Sequence, residues 1–149
     1  MKNIKAINCC MVTVAMLNVG VAIAAPQVSV NFTNNTAEPV TYQVGSSRNE
    51  TTTYSNASPK PSNVPAGGSE SYIVRTTGSS PITYAVVTYT SGSKSCRFTT
   101  SYLMNSTPGG VRTPKWNKSA VASGGARCDI SIASVNYSSH DWSVNLIMR

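Results

Sequence analysis

Alternation with a period of two runs through most of this chain beyond residue 25, and it leaves few folds open. Val28, Val30 and Phe32 alternate with Ser29 and Asn31; Val40, Tyr42 and Val44 with Thr41 and Gln43; Tyr72 and Val74 with Ile73 and Arg75. The pattern returns at Ile82, Tyr84, Val86 and Thr88, at Cys96 and Phe98, at Ile130 and Ile132, and at Val144, Leu146 and Met148. Successive side chains of a strand point to opposite faces, so this pattern marks half-buried strands. Helical periodicity is hard to find. Asn34-Asn35, Gly45-Ser46-Ser47, Gly78-Ser79-Ser80-Pro81, Ser91-Gly92-Ser93 and Ser138-Ser139-His140-Asp141 punctuate the runs as turns. Short strands spaced in this way predict an all-β fold, an antiparallel β-sandwich of about 7–9 short strands.

Two hairpins follow from the spacing. Residues 82–90 and 94–100 pair around Ser91-Gly92-Ser93, and residues 129–135 and 142–148 form the last hairpin. Two segments read as long loops. Residues 56–68 hold Pro59, Pro61 and Pro65, which fix φ and disfavour helix. Residues 105–125 hold Pro108, Pro114 and the pairs Gly109-Gly110 and Gly124-Gly125.

Residues 1–24 read as a secretory signal peptide. Lys2 and Lys5 precede a mostly apolar stretch from Cys9 to Val21, and Ala22-Ile23-Ala24 supplies a small-residue exit. The stretch is shorter than the roughly 20 apolar residues of a membrane span. Cleavage near Ala24 leaves residues 25–149 as a single β-sandwich domain, secreted or periplasmic. Of 12 basic residues only Lys2 and Lys5 leave with the leader, so the remainder is basic but sparsely charged. Abundant Val, Ile, Thr and Tyr argue against disorder. Cys96 and Cys128 are the cysteines that remain, and in an exported chain they predict one disulfide. Its chain-entropy contribution is about 3.5–4 kcal/mol. It ties both ends of the 105–125 loop to the core.

The candidate surface is Thr113-Pro114-Lys115-Trp116-Asn117-Lys118, flanked by Arg112 and Arg127. Its cations suit phosphates or carboxylates, and Trp116 suits a sugar face or a lipid interface. The competing reading has the cations solvated and Trp116 folded back as a satellite core. Ser139-His140-Asp141 holds the vocabulary of acid–base catalysis, but no G-x-S-x-G is present. It reads as a turn before the last strand, with Asp141 bonding a local backbone N–H. Glu38, Glu50, Glu70, Asp129 and Asp141 are scattered and show no glycosidase pair and no calcium-loop spacing. No P-loop or dinucleotide fingerprint appears. One histidine without a C-x-x-C offers no metal site. No cofactor and no nucleic-acid partner is expected.

The run VSVNFTNNTAEPVTYQV over residues 28–44, then Val64-Pro65-Ala66-Gly67-Gly68-Ser69 before a strand, resembles the opening of small exported β-sandwich domains. Aegerolysin-type lipid-binding proteins are similar in size, polar sandwich and aromatic content. That resemblance implies architecture alone, and no site residue carries over. The chain is expected to be a non-enzymatic exported binding protein. It would contact an envelope or cell-surface ligand (anionic lipid, glycan or protein) through a basic–aromatic loop at Arg112, Lys115, Trp116, Lys118 and Arg127. Homo-oligomerisation stays open. Two alternatives remain: a membrane-active, aegerolysin-like pore-forming toxin, and a periplasmic inhibitor or immunity-like protein whose 105–125 loop plugs a partner enzyme. A small hydrolase stands last.

Overall fold

The computed structural model describes residues 25–76 and 82–149. The leader read from residues 1–24 and the turn read at Gly78-Ser79-Ser80-Pro81 lie outside them. In chain order the elements are β1 (Gln27–Asn34), β2 (Thr41–Gln43), α1 (Arg48–Asn56), β3 (Ala57–Ser58), β4 (Ser69–Arg75), β5 (Thr83–Ser91), β6 (Lys94–Ser106), β7 (Arg112–Ser123), β8 (Cys128–Val135) and β9 (Trp142–Met148). They form two packed sheets with orders β3-β4-β1-β9-β8 and β2-β5-β6-β7. Both expected hairpins are present, as β5–β6 and β8–β9. Every pairing is antiparallel except β1 with β9, which run parallel. Alternation alone carries no strand direction, because the side-chain period is two in either case.

Alternate residues of β1, β4, β6 and β9 enter the space between the sheets. Phe32 stacks on Tyr89 at 3.6 Å and meets Phe98 edge-on at 6.4 Å. The buried tyrosines bring their hydroxyls together. Tyr72 and Tyr89 hydroxyls lie 3.0 Å apart, and Tyr89 donates to Glu70 Oε1 at 2.6 Å. Burial pushes both phenols well above their ordinary range, so they stay neutral donors. The gap lined by Val30, Val87, Phe98, Ile130 and Leu146 has no room for a water molecule. This part of the interior is a packed core rather than a chamber.

Three features depart from the expectations. The first is α1, in a stretch of Arg, Asn, Thr and Ser with weak helix propensity. Ser47 caps it: its hydroxyl donates to Glu50 Oε2 at 2.6 Å and accepts from Glu50 N–H at 3.3 Å. The helix has a partner ready, since β2 pairs with β5 only from Thr88 to Thr90. The remaining edge of β5 lies under α1, where Val86 N–H donates to Thr53 Oγ1 at 3.0 Å. A helix covering a sheet edge is one way to block stray pairing.

The second is the phase of β5. Ala85, Val87 and Tyr89 enter the core, whereas Tyr84 and Thr88 lie half-buried on the other face and Val86 is buried there. A strand apolar on both faces hides its phase from alternation.

The third departure concerns residues 105–125, which are not a long loop. β7 occupies most of them and pairs with β6 from Ser106↔Arg112 to Ser95↔Ser123. The actual turn is short: Thr107 N–H donates to Val111 O at 2.9 Å, and Gly109 and Gly110 take φ of 101° and 81°. Hydrogen-bonded pairs alternate along the ladder, so Pro114 directs its nitrogen at the open edge, where no ladder bond is lost. The Cys96–Cys128 disulfide forms, with Cα atoms 5.6 Å apart. It joins β6 to β8, one sheet to the other, rather than the ends of a loop.

Candidate binding surface

The five residues singled out by sequence do not form one patch. β7 separates them by face and by end. Trp116 lies opposite Tyr102 on the inward face, and Lys115 lies opposite Leu103 on the outward face. Lys118 also turns inward, and its Nζ donates to Ile130 O on β8 at 3.0 Å. Arg127 pairs through its backbone with Arg149 beside the disulfide. A strand as long as β7 places that end on the order of 30 Å from Arg112. The basic–aromatic loop therefore reduces to Arg112, Lys115 and Trp116 at one end of the sandwich.

That end carries a group of rings with no counterpart in local sequence. Trp142 is buried, and its Nε1 donates to Thr100 Oγ1 at 2.9 Å. Tyr102 lies 6.3 Å from Trp142 and stacks on the His140 imidazole at 4.9 Å. Burial pushes the Tyr102 phenol above its ordinary range. Trp116 is half-buried, 5.6 Å from Tyr102, and Tyr137 meets it edge-on at 5.3 Å. The chain of rings thus runs from the core to Tyr137, which is 71% exposed.

Backbone geometry holds the outer members. The β8–β9 turn reverses through His140, a non-glycine residue at φ 63°. The bond from Trp116 Nε1 to His140 O, 3.2 Å, ties the turn to β7. Asn136 Oδ1 accepts the N–H groups of Ser138 and Ser139 at 2.8 and 3.1 Å. The expectation that Asp141 bonds a local backbone N–H is corrected: its carboxylate reaches elsewhere. It accepts Gln27 N–H at 2.8 Å, across 114 residues, and the Ser139 hydroxyl at 2.9 Å. Serine thus addresses the carboxylate directly, while the imidazole stacks on Tyr102; this is not the relay of a serine hydrolase. Among the described residues no group of three His, Cys, Asp or Glu side chains could hold a metal ion.

Charge at this end is mainly positive, with the Asp141 carboxylate of the β8–β9 turn as its acid. Residues 82–128 contain no aspartate or glutamate, yet carry Lys94, Arg97, Arg112, Lys115, Lys118 and Arg127. Arg97 is engaged by Glu50 at 3.2 Å, and Lys118 by the β8 carbonyl. Arg112 and Lys115 are exposed on β7 at this end, Lys115 on the face turned away from the rings. The sequence named Trp116 and these two cations. It did not disclose Tyr137 and Tyr102 as their companions and showed His140 as turn only, because contact across the sandwich leaves no local trace. No protein-family model matches the chain, and no curated protein matches it significantly.

Proposed function

We propose that this protein is an exported, non-enzymatic binding module that engages an envelope or cell-surface ligand through its ring-bearing end. The observation that carries the reading is the continuous path of rings from Trp142 to the exposed Tyr137, flanked by Arg112 and Lys115. An exposed aromatic braced by others loses little conformational freedom on contact, which favours binding. The disulfide fits an oxidising compartment outside the cytoplasm, and the leader-like residues 1–24 fit export to the periplasm or beyond. No helix among the described residues is long and apolar enough to cross a membrane. The reading needs no cofactor.

Co-sedimentation with isolated envelopes of the producing organism tests it. Tyr137→Ser and Lys115→Ser alter exposed side chains and leave the core intact, so both fold. Wild type is retained and both variants are depleted from the pellet. Equal retention of all three discards the reading.

A further inference from the structure

We infer that the surface met by this end is an anionic lipid bilayer, touched by the β6–β7 hairpin and the Tyr137 turn at headgroup depth; this rests on the binding reading above.

Among the described residues the β6–β7 pairing runs on to Ser106↔Arg112, past the last β5–β6 pair at Thr83↔Tyr102. That arm ends in a turn bearing Val111, which is 61% exposed. A valine at an exposed tip gains nothing in the free protein. It is removed from water when the tip enters the boundary between headgroups and acyl chains. Tyr137 and Trp116, at the arm's base, are the ring types that settle at membrane–water interfaces.

Polar wiring distinguishes this surface from a sugar site. A glycan pocket needs convergent, uncommitted donors and acceptors. Here Trp116 Nε1 is taken by His140 O, Asn136 Oδ1 by two backbone N–H groups, and the Ser139 hydroxyl by Asp141. The Thr107 hydroxyl donates to Val111 O within the tip turn itself. The polar groups nearest the rings are thus spent inside the protein, and Tyr137, Val111 and the two cations face outward among the exposed side chains of Asn105, Ser106, Thr113 and Ser138.

Charge selects the lipid. Arg112 and Lys115 adjoin the tip, two cations against the Asp141 carboxylate of the neighbouring turn, which is engaged by Gln27 N–H and the Ser139 hydroxyl. An anionic surface complements them, and each cation near it strengthens binding about fivefold.

Vesicle sedimentation of the purified, disulfide-intact protein tests this. Phosphatidylcholine vesicles with and without phosphatidylglycerol are compared at low and high salt. Binding to the anionic vesicles that weakens with salt is expected, with a loss of about fivefold for Arg112→Ser or Lys115→Ser. Val111→Ser lowers it severalfold at low and high salt alike. Lys94→Ser removes the same charge at the opposite end and is expected to change little. An equal loss from Lys94→Ser overturns the assigned surface in favour of net charge alone. Failure to bind anionic vesicles, with envelope retention still dependent on Tyr137, sinks the lipid inference and leaves the binding reading standing for a glycan or protein. Envelope retention indifferent to Tyr137 removes both.

Discussion

Glu50 shows how one side chain can organise a segment. It is buried, and burial by itself would raise its pKa. Hydrogen bonds from Ser47, Thr88 and Arg97, with the Arg97 charge, pull the carboxyl below its ordinary value instead. Gly45 makes room for it: a Cβ there would fall 2.1 Å from Glu50 Oε2. A depressed carboxyl pKa stabilises the fold above the ordinary range, and that contribution is lost as pH falls through the folded value. Glu50→Gln should therefore cost about 1–2 kcal/mol at neutral pH, discounted for the partly exposed Arg97. The difference from wild type should narrow as pH falls below the ordinary carboxylate range of about 4. Urea midpoints of both proteins across that range measure it, and a gap that persists in acid contradicts the assignment. The clue was visible in sequence, since Ser47-x-x-Glu50 is a capping-box spacing. It was masked by residues that favour turns.

Among the elements, β7 is the least legible. Its inward positions hold Trp116, Lys118, Ala120 and Ala122, a set without the repeated Val, Ile or Tyr that announces a strand. Lys118 spoils the alternation because it serves the edge. β7 and β8 are edge strands of different sheets, and the Lys118 ammonium lies between them on Ile130 O. An inward charge and a proline on an edge strand discourage pairing with a second chain. Lys118→Val, with Pro114→Val, should convert a well-behaved chain into one that self-associates at its β7 edge. Light scattering after size-exclusion chromatography checks it: the double variant should elute as dimer or larger at concentrations where wild type does not. Matching elution would mean that these residues do not guard the edge.

At the scale of the molecule, the sandwich is held by core packing and by one covalent link between its sheets. Cys96 is fully buried, and Cys128 opens β8. Removing the link with Cys96→Ser and Cys128→Ser should cost about 3.5–4 kcal/mol. That is a large share of the 5–15 kcal/mol typical of a small domain. Urea unfolding should show a much lower midpoint, while circular dichroism in buffer stays β-rich. An unchanged midpoint would mean that the bridge contributes nothing beyond the packing of the two sheets.

Period-two patterning and turn chemistry determined the class of fold, both hairpins and the cysteine pair, because these depend on residues near one another in the chain or on simple counting. Direction of β1 against β9, burial of β5 on both faces, and the strand nature of residues 112–123 were decided by neighbours distant in sequence. The binding surface belongs to that second group. Trp116 lies on β7 and Tyr137 and His140 in the β8–β9 turn, and only the packing of the two gathers their rings and splits them from Lys118 and Arg127. Alternation records which face a side chain takes; it holds no record of what waits there.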